Sequence, residues 1–132
     1  MDNNNLDQAN QPKTILLADG EQFITVAYKD GLEKAGYRVI VAHDGQEALD
    51  KARSDNPGLI ILDLILPKVN GFEVLQTLKS DEMLKNIPVL VLTNLSQGSD
   101  EDEARSYGIV DFMVKADVSL KDVLDKVEGA FL

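Results

Sequence analysis

The sequence predicts an α/β fold: a doubly wound, five-stranded parallel sheet with five helices. Three observations predict it. Short apolar runs alternate with segments of helical period from Ile15 to the end of the chain. The run Leu59-Ile60-Ile61-Leu62 is apolar without a break, as in a strand buried on both faces of a parallel sheet. Four of the five apolar runs stop at a polar residue: Asp19, Asp63, Thr93 and Lys115. Alternation of this kind implies right-handed crossovers, with helices on both faces.

Residues 1–12 are mostly Asn, Gln and Asp with one Leu, and are expected to form a flexible tail, leaving 13–132 as one domain. Ile15 to Ala18 is the first strand. Phe23, Ile24, Ala27, Tyr28, Leu32 and Ala35 then recur at helical spacing, and Gly36 is a C-terminal cap. Tyr37 to Ala42 reads as the second strand. Asp44 and Glu47 have capping-box spacing ahead of a helix through Ala48, Leu49 and Ala52, which Asn56-Pro57-Gly58 ends. The third strand runs into Asp63, and Pro67 makes a stiff turn after it. Asn70 and Glu73 repeat the capping spacing before a helix whose stripe is Phe72, Leu75 and Leu78. Val89 to Leu92 is the fourth strand, ending at Thr93. The next helix, Ser99 to Tyr107, opens on four acids that complement the helix dipole, but has little to bury beyond Ala104 and Tyr107. Val110 to Val114 is the fifth strand. Leu120, Val123, Leu124, Val127 and Phe131 share one face of the last helix.

The chain has 132 residues with 13 Lys and Arg against 23 Asp and Glu, a formal net charge of −10. A nucleic-acid surface needs a basic patch, so none is expected. With no cysteine, disulfides, zinc thiolates and a cysteine nucleophile are excluded. No apolar run approaches the roughly 20 residues of a membrane helix, and the N-terminus lacks the order of a signal peptide. A cytoplasmic location is expected, with no membrane partner.

In a parallel sheet the carboxyl ends of the strands share one rim, and open α/β sheets bind ligands there. Asp19, Asp63, Thr93 and Lys115 thus converge as two carboxylates, a hydroxyl and an ammonium. Carboxylates with phosphate oxygens suit Mg²⁺. A hydroxyl and an ammonium can hold phosphate oxygens. A carboxylate can attack phosphorus to form an aspartyl phosphate. Each residue also has a plainer reading. Asp63 can be a strand terminator, Asp19 a helix cap, Thr93 a loop hydroxyl and Lys115 a solvated lysine. His43, the only histidine, is expected to do no chemistry.

Four segments carry a resemblance: Ile-Leu-Leu-Ala-Asp19-Gly-Glu, Leu-Asp63-Leu-Ile-Leu-Pro67-Lys-Val-Asn-Gly71, Val-Leu-Thr93 and Asp-Phe112-Met-Val-Lys115. Together they resemble the receiver domain of bacterial two-component response regulators, over about residues 13–132, in its chemotaxis-type stand-alone form. The resemblance implies the flavodoxin-like receiver fold and a phosphorylation-dependent signalling switch rather than a conventional enzyme. Asp63 would accept a phosphoryl group from a histidine kinase or phosphotransfer protein, with Thr93 and Lys115 completing the site. Thr93 and Phe112 would act as the switch, read by an output protein that the sequence does not identify; a homodimer is also compatible. Mg²⁺ would be held by Asp19, Asp63 and the Ile65 backbone carbonyl. Ile65 and Leu95 stand at the positions that help or hinder an attacking water.

The sequence departs from that pattern at three places. A second acid normally follows the first and binds the metal directly; here it is Gly20, which is expected to weaken Mg²⁺ binding. Glu21 is not an obvious replacement, since the family often carries an acid there as well. Lys-Pro becomes Lys115-Ala116, and Asn94 follows Thr93 where a small residue is usual. Gly20 also favours an alternative: a degenerate receiver that binds partners without phosphate. A small hydrolase with Asp19 as nucleophile is a third reading, opposed by the lack of a second aspartate two residues on and of a cap domain.

Overall fold

The computed structural model describes residues 13–131, so the tail expected over 1–12 lies outside the described residues. The strands are β1 (Thr14–Ala18), β2 (Arg38–Ala42), β3 (Leu59–Leu62), β4 (Val89–Thr93) and β5 (Asp111–Val114). The helices between and after them are α1 (Gln22–Lys34), α2 (Gly45–Asp55), α3 (Gly71–Ser80), α4 (Gly98–Arg105) and α5 (Leu120–Ala130). All pairings are parallel and the strand order is β2-β1-β3-β4-β5. The chain winds to one side from β1 and then to the other from β3, so the order reverses between these two neighbours. Asp19 and Asp63 follow directly on their ends.

Alternate strand residues feed two cores, as the period of a strand requires. Leu16, Ala18, Ile60, Leu62, Val89, Val91 and Phe112 pack against α2, α3 and Ala104 of α4. Ile15, Leu17, Leu59, Ile61, Leu90, Leu92 and Met113 pack against Tyr28 and Leu32 of α1 and Val123 and Val127 of α5. β3 and β4 are buried at every position, because each lies inside the sheet with helices on both faces.

The helix termini explain the boundaries. Asp44 accepts the Glu47 N–H at 2.8 Å, but Glu47 takes its return bond from the His43 N–H at 2.8 Å, one residue before the cap. Asn70 accepts the Glu73 N–H at 3.1 Å. Ser119 and Asp122 form a full capping box at the start of α5, a signal the sequence reading passed over. Gly36 has φ +99°, the left-handed conformation expected of a residue just past a helix end.

Three expectations shift. Phe23 is not part of the buried stripe of α1: it is 94% exposed, and Thr25 is buried beside the expected Tyr28 and Leu32. Thr25 can be buried because its hydroxyl donates to the Gln22 carbonyl at 2.8 Å. α4 ends at Arg105 rather than Tyr107, after which Gly108 turns the chain with φ +77°. On α5, Val123 and Val127 are buried, while Leu120 is 38% exposed.

Candidate functional site

The rim forms because β1, β3, β4 and β5 end side by side. The Asp19 N–H donates to the Ala42 carbonyl and the Asp63 N–H to the Ala18 carbonyl, so both acids continue the sheet ladder for one more bond. Their side chains are then fixed before any ligand arrives. Asp63 is 3% exposed. Its Oδ1 accepts the Thr93 hydroxyl at 2.7 Å and the Ile65 N–H at 3.0 Å, and its Oδ2 accepts from the Lys115 ammonium at 2.7 Å. Asp19, 1% exposed, accepts the Glu21 N–H at 2.8 Å on Oδ1 and meets Lys115 at 2.6 Å through Oδ2. Every buried side-chain polar atom among the described residues has a partner.

The loop from Asp63 to α3 is held by close backbone approach. The Gly71 N–H donates to the Leu64 carbonyl, and a Cβ at Gly71 would lie 2.3 Å from Leu64 Cα and 2.4 Å from the Asp63 carbonyl oxygen. Gly45 is as constrained: a Cβ there would fall 1.8 Å from the Val69 carbonyl oxygen. Only glycine lets the starts of α2 and α3 close on this loop.

Lys115 opens a short 3₁₀ turn, Lys115–Asp117, after β5. The 115–116 peptide is trans, and the ammonium still reaches both aspartates. Burial works against its charge, but the hydrogen bonds it donates to Asp19, Asp63 and Glu21 outweigh burial and hold Lys115 protonated above its usual range. Burial raises the Asp19 carboxyl above its ordinary value, against the opposing pull of Lys115 and the Glu21 N–H.

The structure thus brings together Asp19, Asp63, Thr93 and Lys115. It adds Glu21, which the sequence reading had set aside. Glu21 Oε1 is 3.0 Å from Lys115 Nζ, and carboxylate oxygens of Asp19, Glu21 and Asp63 lie within 4.8 Å of one another. The donors are oxygens throughout, the set a hard dication such as Mg²⁺ takes, so the residues present fit that ion. Phe112 stands apart from the cluster, buried in β5 beside Val91. Gly20 and Asn94 are exposed, as are His43 and the 54% exposed Ile65 side chain.

Known proteins share this fold and much of this sequence. A family model described as the response regulator receiver domain matches residues 15–128. The polar-differentiation response regulator DivK of Brucella anthropi is 36% identical over 104 residues, covering 79% of this chain and 85% of that protein. The alkaline phosphatase synthesis transcriptional regulatory protein PhoP of Bacillus subtilis is 40% identical over 103 residues, covering 78% of this chain but 42% of that protein. The chemotaxis response regulator CheY4 of Vibrio cholerae superposes with a TM-score of 0.82 at 28% identity, over 90% of this chain and 98% of that one. A family match over most of the sequence, a parallel sheet in the order β2-β1-β3-β4-β5 and a carboxylate, hydroxyl and ammonium meeting at its rim lead to one conclusion: this chain belongs to the response regulator receiver domains.

Proposed function

We propose that Asp63 is the phosphoacceptor of a phosphorylation-dependent switch, taking its phosphoryl group from a histidine kinase or a phosphotransfer protein. The observation that carries this reading is the pair of 2.7 Å hydrogen bonds to Asp63, one from the Thr93 hydroxyl and one from the Lys115 ammonium. An Asp63 carboxylate oxygen attacks the phosphorus of the donor. The bond from phosphorus to the donor's imidazole nitrogen breaks, its electron pair stays on that nitrogen, and an aspartyl phosphate is left on Asp63. Thr93 and Lys115 then have phosphoryl oxygens to serve in place of the carboxylate. Both are charge-assisted or strong donors already aimed at the acceptor, so little reorganisation precedes the step. Movement of Thr93 toward the phosphoryl group pulls on the end of β4, beside which Phe112 is buried in β5. An output protein would read the resulting surface.

Asp19, Asp63 and the Ile65 backbone carbonyl are the groups proposed to hold Mg²⁺, and the side chain missing at Gly20 weakens that site. When bound, the ion supplies positive charge to the phosphoryl oxygens. No helix among the described residues is long and apolar enough to cross a membrane; a cytoplasmic place beside a kinase is part of the proposal.

The test is intact-mass measurement after incubation with acetyl phosphate and Mg²⁺. One acid-stable, base-labile phosphoryl adduct is expected on the wild type and none on Asp63→Asn. Equal labelling of the two would overturn the assignment. Gly20 favours a second reading, a phosphate-independent interaction module, for which neither protein would be labelled.

A further inference from the structure

Glu21 is an exposed glutamate that turns inward. Its side chain is 57% exposed, yet Oε1 lies 3.0 Å from the buried Lys115 ammonium. Fixing a long, half-exposed side chain costs rotamer entropy. Packing therefore gives no reason for the inward rotamer. The buried Lys115 ammonium does, although two carboxylates already meet it. Asp19 at 2.6 Å, Asp63 at 2.7 Å and Glu21 at 3.0 Å all meet the same ammonium, so one positive charge stands where three carboxylates converge. The four groups carry two more negative charges than positive ones, the surplus that a single dication neutralises.

The three acids differ in what holds them. Asp19 is tied by the Glu21 N–H as well as by Lys115, and Asp63 by Ile65 and Thr93 as well as by Lys115. Among the described residues, the Glu21 carboxylate has only Lys115 as hydrogen-bond or ion-pair partner. It can exchange that partner without disturbing the other two acids. The neighbouring Gly20 offers no carboxylate, although a Cβ fits there: it would lie 3.4 Å from Pro67 Cδ and 3.5 Å from the His43 carbonyl oxygen, ordinary contact distances.

We infer that Glu21 is the third acid of the Mg²⁺ site in this chain, supplying the charge that position 20 lacks. The inference rests on the reading of this rim as a receiver phosphorylation site, and it names the side chain that completes it. Reaching from one residue further along, on a longer and more exposed side chain, Glu21 gives up more freedom than a carboxylate at position 20 would. The site is therefore weakened by Gly20 but not left an acid short.

The experiment is a calorimetric titration of magnesium chloride into the wild type, Glu21→Gln, Asp63→Asn, Gly20→Asp and the Gly20→Asp, Glu21→Gln double variant, with thermal unfolding followed with and without the ion. Glu21→Gln is expected to weaken Mg²⁺ binding roughly tenfold, the scale of losing one charged ligand. In the Gly20→Asp background the same change should cost less than about twofold, because the two positions supply the same charge. Wild-type affinity in Glu21→Gln, with binding weakened in Asp63→Asn, would overturn the role of Glu21 and leave the phosphorylation site standing. An equal loss in both backgrounds would overturn the idea that Glu21 stands in for position 20. Unchanged affinity in Asp63→Asn would remove the site reading and the inference together.

Discussion

Lys115 donates to Asp63 and pairs with Asp19 and Glu21, so one ammonium answers every carboxylate of the rim cluster. Breaking a buried pair by removing one partner leaves the other charge uncompensated, which typically costs about 3–5 kcal/mol. Lys115→Ala should therefore lower the melting temperature sharply without metal, and Mg²⁺ should restore more stability to this variant than to the wild type. Thermal unfolding with and without the ion checks both; an unchanged melting temperature would mean the ammonium is not the counter-charge described. Gly20→Asp shifts the same balance in the same direction. It adds a carboxylate beside three others, so it should tighten Mg²⁺ binding and lower stability in the ion's absence. Ile65 and Leu95 are apolar, and neither can hydrogen-bond a water into line with the phosphorus, where positioning supplies most of the catalysis. The phosphorylated form should persist for minutes or longer; decay within seconds without a phosphatase would contradict this. Much of this chemistry was legible in the sequence because residue type and strand end together fix what meets at the rim. Glu21 was not, since nothing in its position along the chain tells whether a long exposed carboxylate turns toward a buried ammonium.

At the scale of single elements, the loop after β3 is held by close backbone approach at Gly71. A Cβ at Gly71 would meet backbone atoms of Leu64 and Asp63, and neither can rotate away as a side-chain tip would. Gly71→Ala should destabilise the domain by about 1–3 kcal/mol, the usual range for overpacking, and slow phosphorylation by moving Asp63. Denaturant unfolding, with labelling by acetyl phosphate, measures both. α4 is the opposite case. Ala104 is its one buried residue, and its cap residue Gln97 makes no side-chain capping bond. Hydrogen exchange should be fastest there among the five helices. The sequence showed this weak docking directly, in the few apolar residues between Ser99 and Tyr107. It misled at Phe23 for a physical reason. Helical period admits neighbouring registers, and a threonine that satisfies its own hydroxyl inside the first turn can be buried where a phenylalanine was expected. Ser119 escaped notice because its partner in the capping box is Asp122 rather than a glutamate or glutamine.

Across the whole molecule, Asp111 ties the two helices that flank β5. Arg105 at the end of α4 meets its Oδ1 at 2.9 Å, and Lys126 of α5 meets its Oδ2 at 2.9 Å. Burial pushes the Asp111 carboxyl up, but Lys126, the Phe112 N–H and Arg105 overcome that and hold it at about 2 against an ordinary 3.8. A depressed folded-state pKa adds stability that is fully present above 3.8 and is lost as pH falls through about 2. With partly exposed partners the contribution is about 1 kcal/mol after solvent screening. The wild type should exceed Asp111→Asn in stability at neutral pH, and the gap should close as pH falls below about 4; a constant gap would contradict the linkage. The parallel sheet with helices on both faces followed from the alternation of apolar runs; the strand order β2-β1-β3-β4-β5 comes from the structure. The placement of Thr93 against Asp63 and of Phe112 against Val91 is set by register between strands far apart in sequence and could not be read there. The proposed switch couples the rim to β5 through these two placements. It is tested most directly by recording amide chemical shifts while beryllofluoride, a phosphoryl mimic, is added with Mg²⁺. The account predicts large shifts at Thr93, Leu95 and Phe112 in the wild type and none in Asp63→Asn. Shifts confined to residues 63–71, with β4 and β5 unmoved, would show that Asp63 binds the mimic without switching the fold and would contradict it.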